Sequence, residues 1–166
     1  MSEINDTPET ITIQLTKGYS TVVDAIDADL DNLNWFAQEH VSGNVYAGRW
    51  FKKTTRLYMH RVILERVLSV TLARKDEVDH IDGNGLNNRR DNLRLATKSQ
   101  NLGNQRLQKN NTSGYKGVSR FRNKWAANIG CDGKTVWLGA FSTPEEAHEA
   151  YCKAAKEQYG EFARFK

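Results

Sequence analysis

The 166-residue sequence is poor in residues that organise small secreted or extended chains, with only two cysteines and two prolines. Cys131 and Cys152 are too few for a disulfide framework. They have no CxxC or Cys/His companion at zinc-ligand spacing, so they read as reduced thiols, one at a strand end and one on a helix. With 12 glycines and two prolines, collagen-like and low-complexity classes are excluded. Hydrophobic residues at 39% and charged ones at 27% argue against wholesale disorder. No apolar run approaches the roughly 18 residues a membrane span requires. The opening MSEINDTPETITIQL has no basic segment followed by an apolar one, so no secretory signal is expected and the expected compartment is the cytoplasm.

What is present in excess is positive charge, and it is unevenly placed. Residues 1–50 hold eight acids against two bases, whereas residues 51–166 hold 22 bases against 12 acids. A basic two-thirds of a chain is the electrostatic footprint of a polyanion partner, nucleic acid being the commonest, although charge alone also fits a merely soluble basic surface.

The first 75 residues read as short strands and turns. ITIQL and STVVDAI alternate about a Lys17-Gly18 turn, residues 28–33 form a short helical turn, and NVYAGRWF is a strand entered through Ser42-Gly43. RLYMHRVILERVL is either a strand or a buried helix, because periodicity does not separate the two. Only His60 suggests chemistry in this region.

From residue 76 the character changes to DEVDHIDGNGLNNRRDNLRLATKSQNLGNQR. Val78–Ile81 and Asn92–Ala96 are short strands about a dense turn signal, and Thr97 with Gln100 forms a capping box for a helix to about Arg106. Asp and Asn oxygens suit a hard cation rather than zinc. A calcium loop fails: counted from Asp82, Asn87 stands where Gly is needed and Leu93 where Glu is needed, and counted from Asp79 the third residue is Ile81.

VDHIDGNGLNNRRDNLRLATKSQN resembles the HNH nuclease motif of phage and intron-encoded homing endonucleases. The resemblance implies a ββα-metal core holding one Mg²⁺ or Mn²⁺, in a protein that cuts double-stranded DNA inside a bacterial or phage-infected cell. It implies Asp79 as metal-ligating acid, His80 as general base, Asn92 as the residue orienting the histidine, and Asn101 as second metal ligand. Asn84, Asn87 and Asn88 read as turn residues that tolerate left-handed backbone. Arg89, Arg90 and Arg94 are expected at DNA phosphates. His60 is a candidate second active-site histidine, with a packed or capping role preferred, and His40 and His148 are expected to be exposed.

After a linker at 108–114, YKGVSRF, KWAANIGC and KTVWLGAF read as three strands, the last two joined by an Asp132-Gly133 turn. Thr143-Pro144-Glu145-Glu146 opens a helix whose Ala147, Ala150, Tyr151, Ala154, Ala155 and Tyr159 share a face. The YKGV, KWAA, WLG and TPEEA blocks resemble the plant ethylene-response-factor (Apetala-type) DNA-binding domain. That resemblance implies a free sheet face in the major groove, with Lys116, Arg120, Arg122, Lys134 and Trp137 as its DNA contacts. Ser119, Gly130 and Thr135 stand where the plant family usually carries arginines, and Trp125 is expected in the core behind the sheet.

The expected fold is α+β: a nuclease domain over 1–107 with its ββα core at 76–107, then a three-stranded antiparallel sheet backed by one helix over 115–166. The expected function is a metal-dependent HNH DNA endonuclease without membrane association. The alternative is a DNA-binding regulator with a vestigial motif.

Overall fold

A computed structural model describes residues 9–41, 43–108, 110–131 and 133–166. Ser42, Lys109 and Asp132, to which the sequence assigns turn or linker positions, lie outside the described residues. The class is α+β, in two compact units, residues 1–95 and 96–166.

The first unit opens with strands β1 (Thr10–Gln14) and β2 (Ser20–Asp24), an antiparallel hairpin that places Ile13 opposite Thr21. Its turn carries Lys17 and Gly18 at φ 61° and 76°, the left-handed pair that tight hairpins require. A 3-10 segment over Ala25–Asn32 follows. A three-stranded antiparallel sheet then forms from β3 (Phe36–Glu39), β4 (Val45–Phe51) and β5 (Thr55–Tyr58). Strand β3 was not expected from its sequence, since FAQE is too short to show a period.

The ambiguous run resolves as both options in succession. It is strand to Tyr58 and helix α1 over Met59–Leu68. Met59, Ile63 and Leu64 fall on one helical face and are all but fully buried, each stabilising by about 1.5–3 kcal/mol. Strands β6 (Glu77–His80) and β7 (Leu93–Ala96) pair around the loop 81–92. That loop is stitched to β2: Val22 N–H donates to Leu86 O at 2.9 Å, and Asn88 N–H to Val22 O at 2.8 Å. Gly85 is required there, because a Cβ would lie 2.4 Å from Val45 O and 2.6 Å from the Tyr46 ring.

In the second unit, helix α2 (Lys98–Asn104) starts at a full Thr97/Gln100 capping box. Strands β8 (Val118–Phe121), β9 (Lys124–Cys131) and β10 (Lys134–Phe141) form an antiparallel sheet with β9 central. Helix α3 (Pro144–Tyr159) starts at the Thr143/Glu146 capping box and buries Ala147, Tyr151, Ala155 and Tyr159. Gly117, at φ 75°, brings its backbone so near Tyr151 that a Cβ would stand 2.0 Å from the ring.

Helix α2 packs within this second unit. Gly103 abuts the Tyr159 ring, and Asn104 Oδ1 accepts from Arg164 Nε at 3.1 Å. The packing division thus falls at 95/96, whereas the composition change in sequence lies at 108–114. His148, expected to be exposed, is half-buried, with Nδ1 3.2 Å from Lys116 O and Nε2 3.4 Å from Cys152 Sγ, one helical turn away.

Candidate active site

His80 ends β6, where pairing with β7 buries it beside Asp79 (5% and 3% exposed). Its Nε2 lies 3.1 Å from Oδ1 of the fully buried Asn88. Asn88 Nδ2 donates to Thr21 Oγ1 at 2.7 Å, and the Thr21 hydroxyl donates to Leu86 O at 2.7 Å. The polarity of this chain is fixed from its far end. A backbone carbonyl only accepts, so the threonine hydroxyl must donate to it and its oxygen must accept from the Asn88 NH₂. Asn88 therefore turns its carbonyl oxygen to His80, Nε2 carries the proton, and Nδ1 holds the lone pair. Burial pushes the imidazole below the ordinary histidine range, against the opposing bond to Asn88 and the carboxylates of Asp82 and Asp79.

Asn92, the residue that the motif implies as orienting the histidine, bonds to the loop instead. Its Oδ1 accepts from Asp82 N–H at 3.0 Å, and its Nδ2 donates to Asp82 Oδ1 at 3.0 Å and Asn87 O at 2.7 Å. The amide is committed to holding loop 82–87, and Asn88, read as a turn residue, takes the imidazole. Sequence carried no signal for Asn88, because its partner Thr21 lies 67 residues away.

The three motif arginines are also placed differently from expectation. Arg89 pairs with Asp24 (3.2 Å) and Asp91 (2.9 Å), Arg90 grips Asp27 through two nitrogens (2.7 and 3.0 Å), and Arg94 Nε donates to Asp79 Oδ2 at 2.9 Å. Arg66 adds a fourth guanidinium, on Asp27 and Asp29. A buried carboxylate needs a paired cation, so Asp24 and Asp27 of the N-terminal region capture Arg89, Arg90 and Arg66, and Asp79 captures Arg94. Burial would raise the Asp27 carboxyl, but the bonds from Arg90 and Arg66 outweigh it and hold it below the usual range.

His60 does come to the site. Its ring stacks on Tyr58 (centroids 5.4 Å, 13° between planes) and meets His80 edge-on at 5.1 Å, with Tyr46 5.5 Å from it and 5.8 Å from His80. Burial, and next the neighbouring His80, keep it well below the ordinary histidine range, so it packs as a neutral ring.

Among the described residues no group of three His, Cys, Asp or Glu side chains converges on a metal position. The Asp79 carboxylate is a hard oxygen donor of the kind divalent cations take. Asn101 is half-buried on the first turn of α2, in the second unit.

Of the side chains expected at DNA on the C-terminal sheet, Trp137 is half exposed and meets Phe121 edge-on at 5.2 Å. Cross-strand register puts Trp137 with Asn128 on the face away from α3, and Arg122 lies over Phe121 at 5.6 Å. Arg120 instead sits over Trp125 at 4.7 Å, on the register of the buried Ala127, and that indole is half-buried at the core edge. Lys134 stands opposite Cys131, in the register of buried Ile129. Lys116 turns inward, donating to Gly103 O and Gln105 O, both at 2.6 Å, at the carbonyl end of α2. Burial, with the Arg164 charge second, brings its ammonium down to about 8. Phe121, on the strand beyond β9, carries no signal of exposure in the sequence and joins the exposed patch only through its ring contact with Trp137.

This arrangement is that of an HNH endonuclease domain followed by an AP2 DNA-binding domain. A model of the HNH endonuclease family matches residues 57–102, and a model of the AP2 domain matches residues 113–161. The chain is 40% identical over 91 residues to Protein 3.8 of Escherichia phage T7, covering 54% of this chain and 74% of that protein. It is also 37% identical over 109 residues to an uncharacterized HNH endonuclease of Acanthamoeba polyphaga mimivirus, covering 65% of this chain and 56% of that protein. The chain belongs to the family of this phage protein, and carries an HNH endonuclease domain followed by an AP2 domain. HNH endonucleases generally use divalent metals. No helix among the described residues is long and apolar enough to cross a membrane.

Proposed function

We propose that this chain is a metal-dependent DNA endonuclease of the HNH homing type that hydrolyses a phosphodiester bond in duplex DNA. The observation that carries it is the buried His80–Asn88–Thr21 chain, which delivers a neutral imidazole with Nδ1 unprotonated. That nitrogen takes the proton of the attacking water as its oxygen bonds to phosphorus and the bond to the leaving 3′-oxygen breaks. Asp79, with Asn101 as the motif's second ligand, would hold Mg²⁺ or Mn²⁺, which supplies charge stabilisation at the phosphate and leaving oxygen. Arg94 holds the Asp79 carboxylate in place from its Oδ2 side.

The nuclease domain is taken as residues 1–107 and the DNA-binding domain as 115–166, with Arg122 and Trp137 at the free sheet face reaching DNA. A host cell cytoplasm is the setting in which such an enzyme meets duplex DNA. Supercoiled plasmid with Mg²⁺ or Mn²⁺ should be nicked, and EDTA should stop the reaction. His80→Ala should slow cleavage by about 10²–10⁴-fold while DNA affinity holds. Binding without cleavage in every metal would instead support a non-catalytic regulator.

A further inference from the structure

Residues 45–58 form the β4–β5 hairpin and carry Arg49, Lys52, Lys53 and Arg56 without one acid. One face of the hairpin is inside, where Ala47 is fully buried. Alternation and register place Tyr46, Gly48, Trp50, Arg56 and Tyr58 on the other face, since Trp50 pairs with Arg56 and Gly48 with Tyr58. That face is open toward the tip, where Trp50 is 52% exposed. Arg56 lies over the Trp50 ring at 4.8 Å, and Lys52 over the Phe51 ring at 5.3 Å.

The turn is made by Lys52 and Lys53 at φ 51° and 61°. Asn-Gly serves such a turn with least strain, whereas two left-handed lysines place two cations at the tip at a conformational cost. The other end of the face is the active site, where Tyr46 and Tyr58 meet His60 and Tyr46 lies 5.8 Å from His80. From Tyr46 to Trp50 is four residues, about 13 Å along the strand, or roughly four nucleotides at 3.4 Å each.

We infer that this outer hairpin face is a DNA-binding surface of the nuclease unit itself, additional to the AP2 domain, gripping the duplex backbone beside the phosphate presented to His80. The inference rests on the reading of the chain as acting on DNA. Arg56, Lys52 and Lys53 supply the phosphate contacts. The Trp50 ring holds the Arg56 guanidinium in place, so less side-chain freedom is lost when it meets a phosphate.

The test is the salt dependence of binding of the full-length protein to a fluorescently labelled duplex of random sequence, without metal. In the Lys52→Ala/Lys53→Ala/Arg56→Ala variant the slope of log affinity against log salt should fall by about 0.9 for each phosphate that is no longer neutralised, roughly 2–3 in all. Affinity at low salt should drop at least tenfold, and on plasmid KM should rise with kcat unchanged. Lys153→Ala/Lys156→Ala, which removes exposed cations from α3, should keep the wild-type slope. A wild-type slope and affinity in the hairpin variant, or an equal loss per charge in the α3 variant, overturns the inference. Because the readout is binding, a protein that binds duplex but leaves plasmid uncut refutes the nuclease reading and leaves this test intact.

Discussion

Thr21→Val replaces a hydroxyl by a methyl of nearly the same shape at the far end of the histidine chain. Thr21 is fully buried, so no water takes the place of its oxygen. Asn88 Nδ2 then loses its acceptor at 2.7 Å and Leu86 O its donor at 2.7 Å, a cost of about 1–3 kcal/mol in stability. The larger consequence is chemical. With the far end unanchored, the Asn88 amide is free to rotate and present its NH₂ to Nε2, which must then accept, so the proton moves to Nδ1 and the base is lost. Each factor of ten in the population of the competent tautomer is about 1.4 kcal/mol, and a shift of one to two such factors gives a tenfold to hundredfold fall in kcat. Single-turnover cleavage well below the melting temperature, with DNA affinity measured alongside, separates this from partial unfolding. Nitrogen chemical shifts of the His80 ring report the tautomer directly. Thr21→Ser, which keeps the hydroxyl, should restore both rate and tautomer. A valine variant that melts earlier yet cuts at the wild-type rate would show that the chain only packs the loop and does not set the base.

Asp27→Asn should destabilise the first unit by about 2–3 kcal/mol at neutral pH, because the fully buried carboxylate then faces two guanidiniums as a neutral amide. Since the folded state holds this carboxyl below its unfolded value of 3.8, the wild-type advantage should be full above that value and fade as pH falls through the lower folded value, as urea melts across acid pH would show. Lys116→Met should lower stability by about 1–2 kcal/mol yet leave the salt slope of DNA binding unchanged, since its ammonium serves the α2 carbonyls. A slope reduced by about 0.9 would return it to the DNA interface. Trp137→Ala should weaken duplex binding, because the exposed indole makes an apolar contact at the base edges; unchanged affinity by anisotropy would remove it from the DNA interface.

The local elements were legible because local chemistry sets them. Thr97 and Gln100 sit three residues apart, as do Thr143 and Glu146, and each pair closes its own capping box with no help from elsewhere. Apart from β3 and β5, the longer strands follow alternation, and the order of the HNH and AP2 motifs is a linear pattern that survives without coordinates. Residues adjacent on one strand, Asp79 and His80, stay adjacent in the site. Tertiary structure decided everything that depends on partners far apart in the chain. It chose Asn88 over Asn92 for the imidazole, because Thr21 on β2 reaches only the former. It drew Arg89, Arg90 and Arg94 onto Asp24, Asp27 and Asp79, because a buried carboxylate captures whichever guanidinium the fold brings within about 3 Å. It also cut the run 56–68 into strand and helix at Tyr58, a choice made by which side chains the core accepts, and that core exists only once β1, β2 and α1 have met.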